Sequence, residues 1–183
     1  DTSPSLSLLN QIIFLGSDYF VVPMMPDAFS VQGIENLGSI FEKWKSNWKV
    51  TGKALSGNTE SKFVLSGDGL FIGYVVNSYN VYGKQPIKDH RHWIEELPQK
   101  VKKFLSEKHG RNGLVEKSWK NPLAEIQDYG RIPAMCQDLG VAIFDLDPKL
   151  IAENQEGTKN NIEKSKEEFD HLTNSIIQIL SSY

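Results

Sequence analysis

The first two residues of this 183-residue sequence are of types that do chemistry together. Asp1 is followed by Thr2 and a Ser-Pro turn. An acid at a strand end before a small polar turn is a common way to hold a hydrated Mg²⁺ near phosphates, because a carboxylate is a hard oxygen ligand. The alternative is that Asp1 is only a solvent-exposed terminal residue, and the spacing alone does not choose between the two.

A second candidate for chemistry is a concentration of positive charge in the middle of the chain. The net charge is −3, yet residues 84–120 carry ten basic and five acidic residues, whereas residues 121–183 carry five and eleven. A local surplus of positive charge attracts polyanions whatever the total charge. A lysine-rich helix face that is merely solvated is the competing interpretation.

Composition excludes several classes of protein. The chain has 39% hydrophobic and 23% charged residues, which fits one soluble globular domain, and no apolar run reaches the length of a membrane helix. Cys136, the one cysteine, cannot form an internal disulfide, so we expect a cytoplasmic location. His90 and His92 have no further Cys or His nearby, which indicates surface histidines rather than metal ligands. No Ser or Cys nucleophile has a base at motif spacing.

Two apolar runs predict buried parallel strands that must position any site. Residues 18–25 and 70–76 are rich in β-branched and aromatic residues, as strands buried on both faces are. Asn77 follows the second run directly, at its expected C-terminal end. A third strand or extended segment is predicted over 142–146.

Apolar residues at helical spacing predict the helices around these strands. A short helix follows Pro4, and a longer one starts from a cap at Ser30, runs through Trp48 and precedes an irregular loop over 51–69. A helix over 93–105 must be kinked or divided by Pro98. Two further helices are predicted over 132–139, closed by Gly140, and over 162–180, after a polar stretch over 153–161.

Alternating strands and helices predict an α/β fold with a mostly parallel sheet flanked by helices. We expect one domain over residues 1–150, with residues 151–183 adding a polar linker and an amphipathic helix that packs on it. In such sheets ligands bind at the C-terminal ends of the strands. A site is therefore expected among segments 1–6, 23–33 and 77–86.

Taken together, five segments resemble the ParA family of deviant Walker ATPases, relatives of MinD and Soj. They are DTSPSL at 1–6, SDYFVVP at 17–23, PDAFSVQGIENL at 26–37, GYVVN at 73–77, and the stretch 122–146. Their order and spacing match as well, and the resemblance extends over most of the chain. It implies a P-loop NTPase-like fold that is incomplete at its N-terminus.

The resemblance implies nucleotide-binding roles for three residues. It places Asp1 at the Walker B acid, which in the family helps to hold the Mg²⁺ of bound ATP, here through water, with Thr2 beside it in the switch region. It places Asn77 where family members contact the adenine edge. An amide with one acceptor and two donors suits that edge. An Asn that caps a turn before Asn80 is the alternative.

The sequence also departs from the family. The family's Gly-rich loop, of the type Lys-Gly-Gly-x-Gly-Lys-Thr/Ser, cradles phosphates with backbone N–H groups, and no segment of this chain matches it. The apolar strand expected before a Walker B acid is missing too, because Asp1 comes first. We therefore expect the C-terminal portion of a longer protein and no ATP hydrolysis by this chain alone.

The resemblance implies that the intact protein binds ATP and Mg²⁺, dimerises around them and binds DNA non-specifically in plasmid or chromosome partitioning, with a ParB-like activator as a further partner. The candidates for DNA contact are the basic residues of the middle segment: Lys84, Lys88, Arg91, Lys100, Lys102, Lys103, Lys108, Arg111, Lys117 and Lys120.

Two other readings follow from the same residues. One is a nucleotide-independent protein-interaction module built on the same half-fold, and an exposed sheet edge would favour self-association in either case. The other is a membrane-positioning relative of the MinD type. It is not expected, because anionic lipid would repel the acidic residues of the terminal helix.

Overall fold

The computed structural model describes residues 7–56, 65–79, 81–82, 85–86, 88–110, 119–150 and 155–181. Within these ranges the chain is α/β, with a small parallel sheet flanked by helices on both faces. Segment 1–6, which contains Asp1 and Thr2, lies outside the described residues. None of the described helices is both long and apolar enough to cross a membrane.

The sheet confirms both predicted strands. Strand β1 (Tyr19–Met24) pairs in parallel with β2 (Leu70–Tyr79), which is the central strand. Two short strands, β3 (Val81–Tyr82) and β4 (Gln85–Pro86), form a separate antiparallel pair. Strand β5 (Ala124–Gln127) then pairs in parallel with the other edge of β2. The spatial order β1-β2-β5 gives a mostly parallel sheet, as predicted.

The third strand of the sheet is not the one that the sequence predicted. Residues 142–146 contain a 3₁₀ turn, Ile143–Asp145, and no sheet pairing. Leu146 is buried, and the Phe144 ring lies 5.7 Å from the Phe169 ring. The segment therefore buries its apolar side chains against a helix. A short apolar run does not distinguish this arrangement from a strand.

The helix that follows β1 begins three residues earlier than predicted. After α1 (Leu8–Gly16) and β1, helix α2 spans Ala28–Ser56, and the prediction of Ser30 as its cap is wrong. Asp27 is the cap. Its carbonyl accepts the N–H of Val31 at 3.2 Å, and its carboxylate accepts the Ser30 N–H at 2.7 Å.

Helix α2 also runs further than predicted, into the segment expected to be a loop. Lys45 Nζ donates to the carbonyl of Gly69, and the indole N–H of Trp48 donates to the carbonyl of Leu65 at 2.8 Å. These bonds join α2 to the segment that enters β2. These tertiary bonds support the C-terminal half of the helix, which continues into the segment rich in Gly, Ser and Thr.

Helix α3 (Lys88–Val101) passes through Pro98 without ending there. It continues as a π-helical turn, Lys102–Ser106, and closes with the single turn α4 (Glu107–His109). Sequence analysis predicted a disturbance at Pro98, and the irregular turn begins four residues later. Helices α2 and α3, together with the π-helical turn, cover one face of the sheet around Phe71 and Tyr74.

The opposite face of the sheet is covered by α5 (Ile132–Leu139) and α6 (Gln155–Leu180). Gly140 ends α5 as predicted, with φ 66° and ψ 32°, the left-handed conformation that glycine adopts most readily. Helix α6 begins at Gln155, inside the stretch expected to be a polar linker. Its apolar residues pack on the cluster around β5, while a domain boundary at residue 150 stays a prediction.

Candidate functional site

The C-terminal ends of the three parallel strands meet at one edge of the sheet, which we call the carboxyl edge. Met24 of β1 is paired with Val76 of β2, and Asn77 is paired with Ile126 of β5. The residues that follow Met24 therefore lie level with Asn77 on one side, and the end of β5 lies on the other. Ligands of open α/β sheets bind at such an edge.

Asn77 lies within β2 rather than after it, because the strand continues to Tyr79. The pairing with β5 is irregular immediately beyond it, since Asn77 pairs with Ile126 while Tyr79 pairs with Gln127. This bulge leaves one β2 residue unmatched, and bulges commonly redirect side chains beside functional sites. Asn77 is half-buried, and no hydrogen bond uses its amide within the described part of the chain.

The turn between β1 and α2 forms one side of the carboxyl edge. It is held by Asp27, which caps α2, and by the Ser30 hydroxyl, which accepts the Met25 N–H at 3.1 Å. Two apolar side chains project from this turn into solvent, because Met25 is 48% exposed and Phe29 is 89% exposed. These two side chains add apolar surface to this side of the carboxyl edge.

The turn after β5 forms the other side. Asp128 Oδ1 accepts the Gly130 N–H at 2.7 Å, which fixes a tight turn before α5. The Tyr129 hydroxyl donates to Glu168 of α6 at 2.7 Å. Sequence analysis did not assign Asp128 to the site, since β5 is only four residues long and was not predicted as a strand.

The predicted Mg²⁺ site at Asp1 and Thr2 falls outside the described residues. In the ranges that the structure describes, no group of three or more His, Cys, Asp or Glu side chains is arranged to hold a metal ion. His92 is exposed, and its Nε2 lies 3.5 Å from Oε1 of Glu96. The side chain of His90 is not described. The described part of the site therefore consists of Asn77 and the two flanking turns.

Of the ten basic residues predicted to contact DNA, Lys84, Arg111 and Lys117 lie outside the described residues, and only the backbone of Lys88 is described. Arg91, Lys103, Lys108 and Lys120 are exposed, and Lys100 and Lys102 are partly exposed. The structure thus places six of these residues, Lys88 included, on one continuous helical segment over 88–109, which we call the basic helical segment.

The ammonium groups of three of these lysines lie over aromatic rings. The ammonium groups of Lys100 and Lys103 lie 5.9 and 4.9 Å from the centre of the Phe104 ring, and that of Lys102 lies 4.9 Å from the Trp119 ring. Within the described residues, no carboxylate forms an ion pair with these three lysines.

Lys108 is in a different situation. Its ammonium lies 2.6 Å from Oε2 of Glu42 on α2, so its charge is balanced within the protein. The hydrogen bond and the charge of Lys108 hold the pKa of Glu42 below its ordinary value. Lys108 thus joins two helices and is a poorer candidate for binding an external anion.

Comparison with known proteins supports the resemblance in the first part of the chain. A family model described as an AAA domain matches residues 1–52. The chain is 38% identical over 56 residues to a virulence plasmid ParA family protein, pGP5-D, of Chlamydia psittaci. Both findings show a similarity to ParA-type ATPases that is confined to the N-terminal part of the chain.

The extent of these matches is limited. The alignment with the Chlamydia psittaci protein covers 31% of this chain and 22% of that relative. No solved structure matches the chain. The matched region contains Asp1, Thr2, β1 and most of α2, whereas Asn77 and the basic helical segment lie beyond residue 52.

Proposed function

We propose that this chain is part of a ParA-type partitioning ATPase and that its carboxyl edge holds the adenine base of Mg-ATP. The observation that carries the proposal is the placement of Asn77. Its side-chain amide, which forms no hydrogen bond within the described residues, lies at a bulge on the central strand of a parallel sheet, level with the turn that follows β1. Segment 1–52, which matches the AAA-domain model, supplies that neighbouring strand and turn.

The outer side of β1 is open in the described structure, as a P-loop NTPase-like fold with a further strand there would require. Within the described residues β1 pairs only with β2, so its outer edge can accept a further strand. A strand that carries a phosphate-binding loop would fit there. Asp1 and Thr2 would then hold Mg²⁺ through water near the phosphates, a task to which a carboxylate and a hydroxyl are suited.

The proposal is tested first in the reading frame upstream of Asp1. An apolar strand followed by Lys-Gly-Gly-x-Gly-Lys-Thr supports it, whereas a start codon or unrelated sequence contradicts it. In the protein so defined, Asn77→Ala should weaken ATP binding roughly fivefold, through loss of about 1 kcal/mol of hydrogen bonding. Asn174→Ala, at an exposed position on α6, is the matched control and should bind ATP as the wild type does.

Non-specific DNA binding by the basic helical segment is the second part of the proposed function. It is supported by Lys100, Lys102 and Lys103, which lie beside aromatic rings and form no ion pair within the described residues. A lysine that contacts phosphate releases a counterion, so each one removed should reduce the slope of log affinity against log salt by about one.

The DNA test compares two triple variants of equal charge. Changing Lys100, Lys102 and Lys103 to alanine should weaken binding and flatten its salt dependence, whereas changing the exposed Lys43, Lys49 and Lys166 should do neither. Lys108→Ala should have a smaller effect than any of the first three, because Glu42 already balances its charge. Equal losses in both triple variants would argue against a specific surface.

A nucleotide-independent interaction module is favoured by a different observation. Helix α1 contains no charged residue and exposes four apolar side chains to between 45% and 71%: Leu8, Leu9, Ile12 and Ile13. A surface of this kind marks an interaction site. Self-association or partner binding that is abolished by Leu9→Glu and is indifferent to ATP would support the module over the ATPase.

A further inference from the structure

His109 lies at the end of the basic helical segment and is only 2% exposed. Its Nε2 lies 3.0 Å from the backbone carbonyl oxygen of Gly38 on α2. A carbonyl oxygen can only accept, so Nε2 carries the hydrogen and Nδ1 is the unprotonated nitrogen of a neutral ring. Nδ1 is buried and has no hydrogen-bond partner within the described residues.

The bond to Gly38 spans an unusually close helix crossing. A Cβ at Gly38 would stand 2.2 Å from the carbonyl oxygen of Phe104, which belongs to the π-helical turn. The absence of a side chain at Gly38 therefore lets the backbone of α2 meet this turn directly. The rings of Phe20 and Phe41 lie with their centres 6.2 and 6.0 Å from that of His109, so the imidazole sits between aromatic rings.

Charged groups reach His109 from both helices. Helix α2 contributes Glu42 and Lys45, and α4 contributes Lys108, which is paired with Glu42. Strand β1 contributes the uncharged Phe20 ring. Burial lowers the pKa of His109 below its ordinary value of 6.5; Lys45 and Lys108 act in the same direction, and the Gly38 bond and Glu42 oppose them.

We propose that His109 is an acid-sensitive latch that fastens the π-helical turn and α4 to α2, and that protonation of its buried ring releases them. A second proton would sit on Nδ1, where the described structure offers no acceptor and the surroundings are aromatic. Withdrawal of the ring into water removes that penalty. It also breaks the bond to Gly38 and separates Lys108 from Glu42.

The direction of the pH effect follows from linkage. Because folding lowers the affinity of His109 for a proton, the released state binds more protons than the latched state at acidic pH. The latch is at full strength above about pH 6.5 and weakens as the pH falls below that value. The equilibrium can change by at most tenfold per pH unit, since one proton is involved.

The test is amide hydrogen exchange of the full chain between pH 7.5 and 4.5, corrected for the intrinsic pH dependence of exchange. Protection of residues 102–109 should fall below about pH 6.5 by up to tenfold per unit, while β2 keeps its protection. In His109→Phe, which keeps a ring in the aromatic cluster but cannot titrate, this pH dependence should disappear.

Two controls separate the latch from general acid sensitivity. His92→Gln and His171→Gln remove exposed histidines and should leave the profile unchanged. If His109→Phe does not fold, His109→Gln provides a second non-titrating variant whose amide can still donate to Gly38. Parallel loss of protection in the wild type and the non-titrating variant would overturn the proposal, as would unchanged protection in the wild type across the range.

Discussion

Single residues at the turn after β1 illustrate what a sequence specifies locally. Both Asp27 and Ser30 are good capping residues, and the prediction that Ser30 is the cap is wrong. In the structure each residue accepts one backbone N–H of the turn: the Asp27 carboxylate accepts that of Ser30, and the Ser30 hydroxyl accepts that of Met25. Which of two adjacent caps begins a helix depends on where the preceding strand ends. Residue type alone does not reveal that position.

The cap predicts the result of a single substitution. Asp27→Ala removes the acceptor for the Ser30 N–H and should lower the free energy of unfolding by about 1 kcal/mol. Urea denaturation with an unchanged m-value measures the difference. Asp170→Ala, at an exposed position inside α6, is the control and should change stability by less than about half as much. Equal stability of the two variants would show that Asp27 is not the cap.

Helices and strands were predicted well where their signals are local. The apolar runs gave β1 and the start of β2, and Gly140 marked the end of α5. The π-helical turn could not be predicted, because its position opposite Gly38 is a contact between residues far apart in sequence. The same holds for the C-terminal half of α2, which is bonded to Leu65 and Gly69.

The end of α5 supports a prediction at the scale of an element. The N–H of Val141 bonds to the carbonyl of Cys136 and that of Gly140 to Gln137, a pairing that requires Gly140 at φ 66°. Gly140→Ala should therefore destabilise the protein by roughly 1 kcal/mol.

Gly33→Ala is the matched comparison for Gly140→Ala. It lies within α2, where an added Cβ meets nothing within 4 Å, and it should stabilise the protein by about 0.5–1 kcal/mol. Thermal unfolding of both variants measures the pair. Two shifts of the same sign would contradict the assigned cap.

At the scale of the whole molecule, the two outer strands of the sheet, β1 and β5, differ in what lies beside them. The outer edge of β1 has no strand beside it in the described structure, whereas the end of β5 is closed by α6. Glu168 of α6 accepts the backbone N–H of Gln127 at 3.2 Å and the hydroxyl of Tyr129 at 2.7 Å. Within the described residues β1 thus keeps an open side, and the proposed phosphate-binding strand would pair there.

This asymmetry could not be predicted from the sequence. Helix α6 was predicted as an amphipathic helix that packs on the domain, but its partner could not be named because β5 was not predicted. Asn77 was found because it follows a long apolar run, and its neighbours were missed because strand order is a property of the folded chain. Local patterns thus located one side chain of the candidate site, and the sheet pairing supplied the surroundings.

The contact between Glu168 of α6 and the end of β5 predicts a loss of stability when the Glu168 carboxylate is removed. Glu168→Ala removes the carboxylate that accepts the N–H of Gln127, a residue only 7% exposed. A buried N–H left unpaired costs about 1–3 kcal/mol, so the variant should lose about that much stability and exchange the β5 amides faster. Glu167→Ala, at the adjacent exposed position, should keep wild-type stability and exchange. If both variants unfold at the wild-type urea concentration, α6 is held by its apolar face alone and the edge of β5 is not closed by Glu168.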